Sequence, residues 1–147
     1  MKAAVLNIAT VVAALLMMAS CSSWDRSEEA KERNRICIAA LHPYAMAGTI
    51  TRVFRDRSER LGCYVDLFLG DSTYQLQPPP DCDLFQYDEA SNTLQLLVPH
   101  VQMGQGRERL AVGQRMTKAK DTDGFLLYDA QGAPLGELHL WNYTEGR

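Results

Sequence analysis

Among the side chains of this 147-residue sequence that could do chemistry, the three histidines come first, because imidazole titrates near neutral pH and commonly binds metals. His42, His100 and His139 each stand alone. None is at ligand spacing from another His or a Cys, and no HExxH occurs. His42 and His100 adjoin Pro43 and Pro99 at element ends, where a surface or packed histidine is the simpler reading. Asp81 and Asp83 flank Cys82, with Asp88 and Glu89 nearby. Paired carboxylates can divide acid and base roles; on a polar loop they are more simply solvated. Asp121-Thr122-Asp123-Gly124 has the texture of a calcium loop, but Ala119 and Ala130 occupy its first and last ligand positions, so an acidic turn is expected. Gly104-Gln105-Gly106-Arg107 is too short for a dinucleotide fingerprint, and Gly70-Asp71-Ser72-Thr73 is not GxSxG. These patterns assign no catalytic residue, no metal and no cofactor.

Two surfaces could bind instead. Arg52, Arg55, Arg57 and Arg60 cluster in and around one β-like run, tempered by Asp56 and Glu59. Such a patch could grip phosphate groups or an acidic partner through forked guanidinium bonds. The alternative is a charged hairpin tip that keeps a sheet edge from aggregating. Glu137, His139 and Trp141, followed by Tyr143, form a second polar and aromatic face of the kind found at interfaces. The net charge of −3 argues against a nucleic-acid binder, which would show a basic balance.

The N-terminus carries an address. Lys2 precedes Ala3–Met18, an apolar run broken only by Asn7 and Thr10. A short apolar core between a basic end and small residues reads as a secretory signal, and it is shorter than the roughly 20 residues of a spanning helix. Met18-Ala19-Ser20-Cys21, at its end, resembles the lipobox of bacterial lipoproteins. The resemblance covers this segment alone. It implies that Cys21 carries fatty acyl chains such as palmitate and becomes the first mature residue, anchoring the chain to a membrane. Each buried methylene adds about 0.8 kcal/mol of membrane affinity. Ser22 in the following position implies, for a Gram-negative source, the outer membrane facing the periplasm. An ordinary signal cleaved after Ala19 is the alternative.

Export into an oxidising space makes disulfides expected. With Cys21 acylated, Cys37, Cys63 and Cys82 remain of the four cysteines. Cys63 and Cys82 sit in polar or strand-edge contexts around a loop holding Gly70, Asp71 and Pro78-Pro79-Pro80, so they are the expected pair. Cys37, between Ile36 and Ile38, reads as a buried thiol. Without acylation, the four cysteines allow two bridges in any of three connectivities.

Around these residues the chain divides into a signal (1–20), a charged tether (21–35) and one globular domain (36–147). The tether has acidic Glu28 and Glu29 early and basic Arg33 and Arg35 late, an order that suits a helix dipole. From Ile36 the texture becomes β-like. Thr49–Arg55 and Cys63–Leu69 predict a hairpin, with Cys63, Val65, Leu67 and Leu69 on one face. Leu84–Tyr87 and Thr93–Val98 predict a second, and Phe125–Tyr128 with Leu135–Trp141 a third across Asp129–Gly132. Arg109–Met116 could be strand or one helical turn. The expected fold is mainly β, a small antiparallel barrel or sandwich. The expected function is that of an envelope lipoprotein, a non-enzymatic binding or assembly accessory with a protein or glycan partner. The alternatives are an exported hydrolase using Asp81, Asp83 or a histidine, and a structural envelope component.

Overall fold

The computed structural model describes residues 28–55, 62–99 and 110–139. Cys21 and the signal, Arg57 and Arg60, His100, Trp141 and Tyr143 lie outside them. The chain divides into two units, Met1–Glu32 and Arg33–Arg147. In the first, the described residues begin helix α1 (28–39), where Lys31 donates to Glu28 at 2.8 Å one turn away. Among the described residues no helix is long and apolar enough to cross a membrane.

The second unit is a seven-stranded antiparallel sheet: β1 Met46–Arg55, β2 Gly62–Phe68, β3 Phe85–Asp88, β4 Thr93–Pro99, β5 Arg115–Lys118, β6 Gly124–Tyr128 and β7 Pro134–His139. The mainly β fold is the one that the patterning predicts. The strand order is β3-β4-β2-β1-β5-β6-β7, so β4 lies between β2 and β3, and β1 is central. The ladder is open among the described residues, with β3 and β7 as its edges.

Alternation sets the core. Cys63, Val65 and Leu67 of β2 and Leu94, Leu96 and Val98 of β4 are buried on one face, joined by Phe85, Met116, Phe125 and Leu127. In β1 the alternation changes phase. Met46, Gly48 and Ile50 are buried, then Thr51 and Arg52 are both exposed, and Val53 turns back toward the core. Ile50 pairs with Leu67 but Arg52 pairs with Asp66, which leaves Thr51 as a bulge. Its hydroxyl donates to the Asp66 carbonyl at 3.2 Å. Gly48 is a close approach, since a Cβ there would meet Leu67 Cγ and the Phe68 carbonyl at 2.6 Å.

The expected hairpins form with their turn chemistry. Gly132 N–H donates to the Asp129 carbonyl at 3.1 Å, Gly132 has φ 87°, and Asp129 Oδ1 accepts from Gln131 and Ala133. This is a type I turn followed by a left-handed glycine, the three-residue hairpin loop. Asp88 closes the β3–β4 turn by accepting from Ala90 N–H and the Ser91 hydroxyl.

Two expectations are corrected and one open reading is decided. Ile36–Ile38 is helical, because α1 continues to residue 39 and buries Cys37 and, just beyond, Leu41. Residues 110–114 are loop, and the strand that follows runs over Arg115–Lys118. The disulfide is Cys37–Cys82, with a Cα separation of 5.5 Å, and Cys63 is a free buried thiol. The topology explains the exchange. Cys63 lies on β2, Cys82 leads into β3, and β4 runs between them. Two strand spacings are about 9–10 Å, beyond the roughly 7 Å that a bridge tolerates.

The bridge closes a sequence separation of 45, for which the chain-entropy model gives about 4 kcal/mol. Replacing both Cys37 and Cys82 by Ser is expected to lower the unfolding free energy by up to about that amount. Denaturant titration measures it. In the non-reduced, denatured wild type, thiol counting is expected to find Cys63 alone reactive among Cys37, Cys63 and Cys82.

Candidate functional site

The bulge in β1 puts Thr51 and Arg52 on the outer face of the sheet. The register then lines up one polar row across four strands: Arg52 opposite Asp66, Asp66 opposite Gln95, and Gln95 opposite Gln86. These side chains, with Thr51, Tyr87, Asp88, Ser91 and Thr93, line a concave groove of about 340 Å³. Two residues to one side, Phe54 stacks on Tyr64 at a centroid distance of 5.3 Å. Two residues to the other, Phe68 pairs with Thr93 and is 43% exposed. An aromatic pair thus borders the polar row on one side and a single ring on the other.

Asp66 organises the row. Its carboxylate accepts from Arg52 Nε at 2.6 Å through one oxygen and from Gln95 Nε2 at 3.0 Å through the other. Its side chain is only 13% exposed, so the ion pair is shielded on the carboxylate side and open on the arginine side. The Arg52 guanidinium also lies 4.3 Å from the Phe54 ring centroid. Arg52 therefore spends its charge within the sheet. Arg55 is opposite Cys63 in the register, and its side chain, like Arg57 and Arg60, lies outside the described residues.

The groove's rim is held by Asn92, which ends the β3–β4 turn at φ 48°. Its Nδ2 donates to the carbonyls of Gly70 and Ser72, each at 2.7 Å, and its Oδ1 accepts from the Tyr87 hydroxyl at 2.7 Å. Asp88, on the groove wall, has its carboxyl pulled below the usual range by its bonds to the Ser91 hydroxyl and the Ala90 N–H.

Lys118 lies away from the groove and is buried to 3% exposure. Its ammonium donates to the carbonyls of Tyr44, at 2.9 Å, and Ala119, at 3.1 Å. Desolvation lowers its pKa, and the charges of Asp123 and Asp121 oppose that shift. Beside it, His42 Nε2 is paired with Asp123, and Asp121 N–H donates to the His42 carbonyl at 2.7 Å. Asp121–Gly124, the calcium-like tetrad, is thus the β5–β6 turn clamped onto the segment after α1. Among the described residues no three His, Cys, Asp or Glu side chains gather as a metal-binding group.

The other singled-out residues do not join the groove. Asp81 and Asp83 are exposed on the loop either side of bridged Cys82. Asp81 has φ 60° in the turn that Cys82 N–H closes onto the Pro79 carbonyl at 3.2 Å, a backbone role that Asp tolerates. Glu137 and His139 are exposed on edge strand β7, 3.6 Å apart. Gln86, Gln95 and Asp66 were not legible as a site, because they lie on three separate strands. The one available signal was a single polar residue, Asp66, Gln86 or Gln95, interrupting each otherwise largely apolar or aromatic run.

Two measurements follow from these contacts. Asn92→Ala removes three hydrogen bonds of about 1 kcal/mol each and leaves a left-handed φ, so a loss of about 2–4 kcal/mol is expected in denaturant titration. Asn92→Gly, which keeps the φ, should lose less. For Lys118, a lowered folded pKa means that the unfolded chain binds more protons between that pKa and the ordinary 10.5. Stability from this group therefore rises with pH through that alkaline window. Lys118→Met is expected to flatten the rise, read as denaturation midpoints across alkaline pH.

No protein-family model matches the chain, no curated protein is significantly similar to it, and no solved structure significantly matches its fold.

Proposed function

We propose that this chain is an exported, lipid-anchored accessory module of the cell envelope that acts by binding. Cys21, acylated, holds it to the membrane, at the periplasmic side of the outer membrane in a Gram-negative source. The charged segment after it is the tether, and the β domain presents the outer-face groove to an envelope partner.

The observation that carries the reading is the ladder Arg52–Asp66–Gln95, a set of fixed donors and acceptors lining a concave surface. Orienting such groups in advance lowers the entropic cost of association. The lipobox-like Met18-Ala19-Ser20-Cys21 supports the anchor. A lipid anchor confines the module to the membrane surface and raises its effective concentration toward partners held there.

Two measurements test the two halves. Intact mass of the membrane-extracted protein is expected to give the Cys21–Arg147 polypeptide plus acyl chains. An unacylated chain beginning at Ser20 overturns the anchor. Crosslinking in the envelope followed by affinity recovery is expected to yield a partner from wild type and none from Gln95→Arg, which fills the groove. Equal recovery from a folded Gln95→Arg protein places the binding surface elsewhere.

A further inference from the structure

We propose that the groove is a saccharide site, taking a neutral, polyhydroxylated pyranose chain across β1, β2, β4 and β3. This rests on reading the domain as a binding module and names the class of its ligand.

The chemistry of the lining selects the class. Asp66, Gln95 and Gln86 present a planar carboxylate and two planar amides in one straight row. The two amides can engage adjacent hydroxyls on a ring in pairs, accepting from one through oxygen and donating to the next through nitrogen, while the carboxylate can only accept. Neighbouring members of the row are one strand spacing apart, ~4.8 Å, comparable to the span of one sugar ring. Aromatic rings stand beside the row, outside the groove's own lining: the Phe54–Tyr64 stack on one side, and exposed Phe68 opposite Thr93 on the other. A pyranose has an apolar C–H face and a hydroxylated rim; the polar row suits the rim, and the exposed Phe68 ring beside it offers the C–H face an apolar surface.

Charge argues against an anion. The groove's arginine is paired with Asp66 and stacked on Phe54, and a second carboxylate, Asp88, stands on the wall. Lining charge is thus one positive against two negative, which repels phosphate and sulfate. A protein partner would be expected to seat a large apolar anchor in a desolvated pocket at the centre of its interface. The centre of this groove is instead carboxylate and amide.

The test uses the full-length protein in detergent, titrated with tetrasaccharides of N-acetylglucosamine and of glucose, with a sulfated tetrasaccharide as the anionic arm. Backbone amide shifts report the site. A neutral tetrasaccharide is expected to move the amides of Arg52, Asp66, Gln86 and Gln95. Gln95→Ala is expected to weaken it by roughly tenfold, the scale of one lost hydrogen bond. Gln86→Ala, at an exposed position, gives the same test without touching the Asp66 pair. Response to the sulfated sugar alone overturns the assignment. So does silence toward every sugar while Gln95→Arg still abolishes recovery of an envelope protein, an outcome that leaves the binding module standing. Silence toward sugars with recovery unaffected by Gln95→Arg removes both readings.

Discussion

One hydrogen bond, from the Thr51 hydroxyl to the Asp66 carbonyl, marks the point on which both core and groove depend. Thr51 is the extra residue of the bulge in the central strand. Before it, β1 buries its even-numbered residues and is paired on both sides, with β2 and β5. At Ile50 the ladder to β5 ends, its N–H and C=O turning to Gln114 and Gly113 at 2.8 and 2.9 Å. Beyond it, β1 is paired with β2, and Val53, of the opposite parity, packs against the core. A regular strand would carry either Ile50 or Val53 out of the core, since a one-residue slip exchanges faces. The bulge keeps both inward and places Thr51 and Arg52 side by side outside. The polar row begins with those two residues.

The second constraint acts on a segment with no ladder of its own. Residues 69–84 cross from β2 to the sheet edge, and the prolines 78–80 cannot serve in a central strand. Separate ties hold the segment down. Leu69 N–H donates to Asn92, whose side chain holds Gly70 and Ser72. The Tyr44 hydroxyl donates to the Gln75 carbonyl at 3.0 Å while its ring meets Tyr74 edge-on, and Leu76 enters the core. The Cys37–Cys82 bridge closes the far end. Most of these ties run to the segment after α1 or to the β3–β4 turn. They fix where β3 lies, and β3 supplies the last wall of the groove.

Legibility in the sequence followed the range of the interaction. The three hairpins were readable because their determinants are local: two-residue alternation, and turn residues such as Asp129, Gly132 and Asn92. The inward face of β2 was readable for the same reason. Strand β5 was not, because Arg115–Lys118 shows weak alternation and buries a lysine, which is held there by one distant and one neighbouring backbone carbonyl and by the charges of Asp121 and Asp123. The helix beyond residue 35 was hidden by the β-branched Ile36 and Ile38. Burial of Cys37 and its bridge to Cys82 outweigh the modest helix propensity of such residues.

Composition and spacing, by themselves, determined the β class and the hairpins with their turns. Each depends on residues within a few positions of one another. Only the tertiary structure decided which cysteine pairs with Cys82, because the answer depends on β4 lying between β2 and β3. It alone drew Arg52 out of a sequence-adjacent arginine patch and into a pair with Asp66. It also gathered Asp66, Gln95 and Gln86 into one row. Their separation along the chain carries no such information; antiparallel register, shifted once by the bulge at Thr51, brings them together.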